Sequence, residues 1–322
     1  MEQSVNGMGE NNKEYCLRCF WFSLILQLIL HWVRSMVLGL VSLWLANSEY
    51  LYFTYNISKI ILTAFAFAFP AAFYLRLTKR KLSDIIRLRE NAKIYRTKEE
   101  KTPFGALFFI FAATVTLNIA NLAGMATDGV CYLLGIEVSE TVLSPSWQVL
   151  ILSFISAVIL APLCEELLFR GVALNALAPY GLKWTVFISG VTFALMHHSF
   201  YSLFYAFCAG CAIAFFAYIS GSFRVAVELH FVNNLLTYLT AAVRLFFGPS
   251  VGQTYGYVLL AVTLPVAIVG AAVFIKKKIW RSSLDGGGNC EVPNGSQNTE
   301  ARSPVCAEAI FYVIFALIGC FG

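Results

Sequence analysis

Glu165, Glu166 and Arg170 lie together in an otherwise apolar run, Ala161-Pro162-Leu163-Cys164-Glu165-Glu166-Leu167-Leu168-Phe169-Arg170-Gly171. Ionisable groups in such a run are costly unless they are paired or face a wet cavity, which makes them candidates for chemistry. Adjacent residues project about 100° apart on a helix, so the two glutamates cannot share one role. Glu166 precedes Arg170 by four positions, the favourable order for an intrahelical ion pair. That pairing leaves Glu165 free to point into a cavity. The bland alternative is a helix end at the membrane surface with solvated charges.

Two further segments carry polar groups. One runs Phe193-Ala194-Leu195-Met196-His197-His198 and the other Glu228-Leu229-His230-Phe231-Val232-Asn233-Asn234. His230 and Asn234 are one helical turn apart and address the same point. A lone histidine in an apolar helix is usually a satisfied core residue, but three of the four histidines fall in this region. Glu228 follows Arg224 by four positions, the spacing of an interfacial ion pair. His31 and Arg34 have no partner in the sequence and read as snorkelling side chains or an interfacial helix start. A glutamate, two histidines and an asparagine on three helices supply a hydrolytic toolkit. The carboxylate can take a proton from water. The histidines can hold a divalent metal, or a protonated histidine and an amide can stabilise an oxyanion. No H-E-x-x-H is present, which excludes the soluble zinc-protease pattern.

The elements that position these groups follow from composition. Of 322 residues 59% are hydrophobic and 13% charged, with a mean hydropathy of +0.71, whereas soluble domains are roughly 25% charged. Too few charges remain to coat a water-facing surface, so the class is an all-α, polytopic transmembrane bundle. Spans of roughly 20 apolar residues fall at about 19–46, 50–75, 104–126, 147–169, 184–200, 201–221, 225–247 and 255–275. The net charge is +5, and ten of the 23 basic residues lie between Arg76 and Lys101. That cluster reads as a cytoplasmic loop, not a nucleic-acid surface. With Lys13 and Arg18 inside, the inner loops carry Arg170, Lys183, Arg224 and Lys276-Lys277-Lys278, and the outer loops hold Glu49, Asp128, Glu137 and Glu140. The alternation predicts eight spans with both termini cytoplasmic. The first span is too long for a signal-peptide core and is expected to be retained. Nine cysteines, most of them in apolar runs, read as packing residues, including the pairs Cys16/Cys19 and Cys208/Cys211.

At the polar residues the sequence resembles the CPBP family of intramembrane proteases, which includes CAAX prenyl proteases and bacterial proteins named for bacteriocin processing and immunity. The family's E-E-x-x-x-R appears at Glu165 to Arg170, its F-x-x-x-H at Phe193 to His197, and its H-x-x-x-N/D at His230 to Asn234. The resemblance implies that Glu165 activates water, assisted by His197, while His230 and Asn234 sit across the scissile carbonyl. Catalytic candidates are therefore Glu165, Glu166, Arg170, His197, His230 and Asn234. Glu165, His197 and His230 are the candidate ligands if a divalent metal such as zinc is used, and the sequence leaves metal and activated-water chemistry both open.

The expected organisation is an N-terminal polar segment with three spans and the basic loop 76–103 (1–146), a CPBP-like peptidase core (147–247) and a last span (248–281). A flexible cytoplasmic tail with a short, surface-lying apolar end follows (282–322). The expected function is an intramembrane endopeptidase acting on a membrane-associated peptide or protein, embedded in the lipid bilayer; in a bacterium this is the cell membrane. The competing class is a non-catalytic adaptor, immunity or transporter-like binding protein on the same fold. One tension stands: with spans at 147–169 and from Trp184, His197 falls about 20 Å deeper than Glu165 and His230. The helix that carries it must then begin deeper, tilt, or continue past His197.

Overall fold

The computed structural model describes residues 2–46, 50–86, 103–136, 143, 145–276 and 305–321, and among these the chain is all helical. The helices are α1 (Glu2–Trp44), α2 (Leu51–Thr78), a short α3 (Leu82–Ile86) and α4 (Pro103–Leu133). Next comes α5, a helical stretch over Trp147–Tyr180. Then follow α6 (Leu182–Leu195), α7 (Phe200–Ser220), α8 (Phe223–Phe247), α9 (Pro249–Lys276) and α10 (Ala307–Phe321). Most of the basic loop, 87–102, and most of the expected flexible tail lie outside the described residues.

Each of the eight expected spans falls on a helix, and six helices are long and apolar enough to cross a membrane: α1, α2, α4, α5, α7 and α9. The chain is an integral, multi-pass membrane protein. The other two expected spans differ for separate reasons. Helix α6 has 14 residues, about 21 Å of helix against a hydrocarbon core of about 30 Å. Helix α8 has 25 residues, but its polar side chains lower its hydropathy. Outward faces are apolar, with Met36, Leu40, Ile61, Val262 and Val269 exposed, as a lipid-facing surface requires.

The core gathers where α1, α2, α5 and α6 meet, around Phe20, Leu24, Tyr74, Phe169 and Phe193. Helices α6 and α7 form a tight antiparallel pair. A Cβ placed on Gly190 would stand 2.3 Å from Cys211 Sγ, and one on Gly210 would stand 3.3 Å from Gly190 Cα. The seven cysteines whose side chains are described are free, and Cys16 and Cys19 are buried among apolar neighbours, as packing residues are.

Two expectations need correction. The apolar end of the tail does not lie apart on a surface. In α10, Ala309, Tyr312 and Ala316 are buried in the main core, and the Tyr312 hydroxyl donates to Thr192 O at 3.3 Å. Their spacing of three and four residues gives one continuous apolar face, which buries itself against the bundle. The fourth span also does not stop at 169: α5 continues to Tyr180.

Candidate active site

The length of α5 removes the depth problem. Gly181, with φ of +87°, makes the turn from α5 into α6, a backbone conformation that other residues adopt only under strain. Glu165 lies sixteen positions before this glycine and His197 sixteen after it. In an antiparallel pair such residues are level. Two hydrogen bonds fix the register: Thr185 Oγ1 donates to Leu177 O at 2.9 Å and Ser189 Oγ to Phe169 O at 2.9 Å. Helix α6 ends at Leu195, so His197 and His198 sit in the turn to α7. That turn is level with the glutamates of α5.

Locally, α5 is not a regular α-helix. Six residues of α-helix, Ala161–Glu166, stand between two π-helical stretches, Ile155–Leu160 and Leu167–Val172. In the first stretch Ala161 N donates to Ser156 O, five residues back. The next donor in that ladder would be residue 162 to Ala157 O, but Pro162 has no N–H. The vacant place is taken by Asn234, whose Nδ2 donates to Ala157 O at 2.8 Å. This bond ties α8 to α5 one helical turn from His230.

Glu166 and Arg170 are both fully buried and paired at 2.8 Å, as their spacing predicted. Arg170 also donates to Gly210 O at 2.9 Å and lies over the Phe193 ring at 4.6 Å. The sequence did not reveal the partner that α8 supplies. His230 Nδ1 donates to Glu166 Oε1 at 2.7 Å, the same oxygen that accepts from Arg170. Glu166 is thus the acidic partner of His230, a contact 64 positions apart that no local pattern encodes.

This bond turns His230 Nε2 toward Glu165, with Oε2 at 3.9 Å. The separation is beyond a hydrogen bond and leaves both atoms open to an oxygen seated beside them. Glu165 keeps 12% of its side chain exposed, while Glu166 keeps none. His197 Nδ1 donates to Phe193 O at 2.9 Å, which presents Nε2 as its free nitrogen. The Phe193 ring lies edge-on to both imidazoles, 5.0 Å from His197 and 5.5 Å from His230. The first residue of the F-x-x-x-H motif therefore spaces the two histidines and caps Arg170.

Sequence reasoning missed two features. Asn233 donates to the Tyr205 hydroxyl at 2.8 Å, linking α8 to a cavity of about 540 Å³ whose lining includes Tyr205, Asn121, Asp128, Thr237 and Arg244. Glu165 does not line this cavity. His31 and Arg34, without partners in the sequence, have partners in space: the His31 ring lies against His198, tilted by 37° with centroids 3.9 Å apart, and Arg34 donates to Thr63 Oγ1. Arg224 pairs with Glu228 at 2.5 Å, as expected.

Residues 146–236 match the family described as type II CAAX prenyl endopeptidase, Rce1-like. All three motifs fall inside the matched region, which is consistent with the CPBP resemblance and covers under a third of the chain. The Rce1-like family is a protease family, and this stretch holds α5, α6, α7 and the first half of α8. No curated protein and no solved structure matches the chain.

A metal can be tested against the donors. His197 and His230 each have Nδ1 bonded and Nε2 free, as metal-binding histidines do. Among the described residues, however, no group of three His, Cys, Asp or Glu side chains is placed to hold an ion. Glu165, His197 and His230 do not close into a ligand set.

Proposed function

We propose that this protein is an intramembrane endopeptidase that hydrolyses a peptide bond of a membrane-associated peptide or protein with water activated by Glu165. One observation carries the reading: of two adjacent glutamates, Glu166 is spent on Arg170 and His230, while Glu165 stays partly open and faces His230 Nε2. Glu165 takes a proton from water as the oxygen adds to the scissile carbonyl carbon. Charge gathers on the carbonyl oxygen. Protonated His230, aimed by Glu166, donates to that oxygen from Nε2, and the second amide hydrogen of Asn234 is the other donor. The C–N bond then breaks, and the proton held by Glu165 passes to the leaving nitrogen. His197 Nε2 accepts a hydrogen bond from the attacking water and orients it.

The similarity of residues 146–236 to a protease family favours this reading over a binding-only adaptor, as does the approach of Glu165 Oε2 to His230 Nε2 at 3.9 Å. The test compares the peptide and protein profile of membranes holding the wild type with that of membranes holding Glu165→Gln. A substrate that accumulates uncut in the variant supports the reading, and identical profiles reject it.

A further inference from the structure

The ion pair of Glu166 and Arg170 accounts for one positive and one negative charge in the bundle, and a second cationic group, Arg34, stands within electrostatic reach of Glu165. Arg34 of α1 donates from Nη1 to Thr63 Oγ1 at 3.1 Å and from Nη2 to a His31 ring nitrogen at 3.1 Å. Its Nε is buried with no hydrogen-bond partner, and so are both ring nitrogens of His198. His198 holds φ at +46°, a conformation that non-glycine residues adopt at a cost, with its ring against that of His31. Two elements that meet at the His31 and His198 rings thus each carry buried nitrogens without partners.

Charge points to the occupant. The groups around Arg34 are His31 from its own helix, Tyr55, Lys59 and Thr63 from α2, His198 from the α6–α7 turn, and Glu165 from α5. Among the described residues Glu165 is the one acid in electrostatic reach of Arg34, set against the two cations Arg34 and Lys59. One positive charge is left over inside a membrane span, where charges are normally paired. Arg34 lies ten positions from the end of α1 at Trp44, about 15 Å along the helix.

We propose that Arg34, His31 and His198 form an anion subsite that takes a carboxylate of the substrate and so places a neighbouring peptide bond over Glu165. The proposal rests on the peptidase reading for what the subsite serves. A guanidinium with a free Nε–H presents the edge that carboxylates bind, and the His198 ring supplies a further donor. The carboxylate is either a free chain end or an acidic side chain.

Binding can be measured without cleavage on the full chain carrying Glu165→Gln in phosphatidylcholine nanodiscs. The probes are fluorescent, N-palmitoylated pentapeptides of one apolar sequence. One ends in a carboxylate, one in a carboxamide, and one in a carboxamide with aspartate as its last residue. A carboxylate-bearing peptide is expected to bind roughly tenfold more tightly than the plain carboxamide, the scale of one charge-assisted hydrogen bond. The arm that gains identifies the chain end or the side chain as the source. Adding Arg34→Met should erase the preference, and Arg34→Lys should restore part of it, which guards against a folding artefact. Equal affinity for acid and amide peptides, no binding of either, or a preference that survives Arg34→Met overturns the subsite. A preference that depends on Arg34 in a protein whose wild type cuts none of these peptides, and whose membranes show no Glu165-dependent substrate, upholds the subsite and rejects the peptidase reading.

Discussion

His230 donates from Nδ1 to Glu166 Oε1 at 2.7 Å, on the oxygen that also accepts from Arg170 at 2.8 Å. One buried carboxylate thereby anchors a cation on its own helix and aims an imidazole from another. Glu166→Gln is expected to lower the amount of folded protein, because it leaves Arg170 unpaired where breaking a buried pair costs about 3–5 kcal/mol. Glu165→Gln keeps the shape and removes the base, so turnover should vanish with abundance and thermal stability unchanged. Unfolding in detergent together with a turnover assay separates the two, and loss of activity at wild-type stability in Glu166→Gln would show that Glu166 matters through the aim of His230 and not through the fold.

Asn234 serves two ends. Its Nδ2 fills the place that Pro162 leaves empty at Ala157 O, and its other amide hydrogen remains for an oxyanion. Asn234→Ala is expected to cut turnover about a hundredfold, the usual scale for one lost oxyanion donor. It should also destabilise the fold by about 1–3 kcal/mol through the bared carbonyl. Rates near wild type in the variant would confine Asn234 to the helix tie.

Gly190 and Gly210 let α6 and α7 approach until Gly190 Cα is 3.3 Å from where a Cβ of residue 210 would stand. Gly190→Ala should push the helices apart at a cost of about 1–3 kcal/mol and shift the turn that carries His197. The check is a lower melting temperature together with reduced turnover. An unchanged melting temperature would show that Cys211 simply moves aside.

Chelator-washed protein should keep its activity, since the donors do not gather into a three-ligand group. Elemental analysis before and after washing decides this. One tightly held zinc per chain, with activity lost on removal and regained on return, would defeat activated-water chemistry without metal.

The pattern of loop charges predicts both termini on the cytoplasmic side. Cysteine labelling at Ser83→Cys and Ser139→Cys, read against the native background, should then report opposite faces. Labelling from one face would overturn the eight-span scheme. Helix α6, too short to cross alone, and helix α8, outside the six apolar spans, are the elements on which the count turns.

The sequence alone determined the membrane class, the helical regions and the three polar motifs, because each depends on local quantities: apolar run length, charge in loops, and residue spacing within one helix turn. The Glu166–Arg170 and Arg224–Glu228 pairs belong to this group, since four residues on a helix are neighbours wherever the helix goes. The end of α5 was not legible, because Arg170 and the polar residues after it look like a membrane boundary when their burial is unknown. Only the tertiary structure decided that Glu166 holds His230, that Asn234 replaces the hydrogen bond Pro162 cannot make, and that His31 meets His198. Those contacts join residues 64, 77 or 167 positions apart. Helix packing brings them together, and no periodicity within a single segment records where another segment will lie.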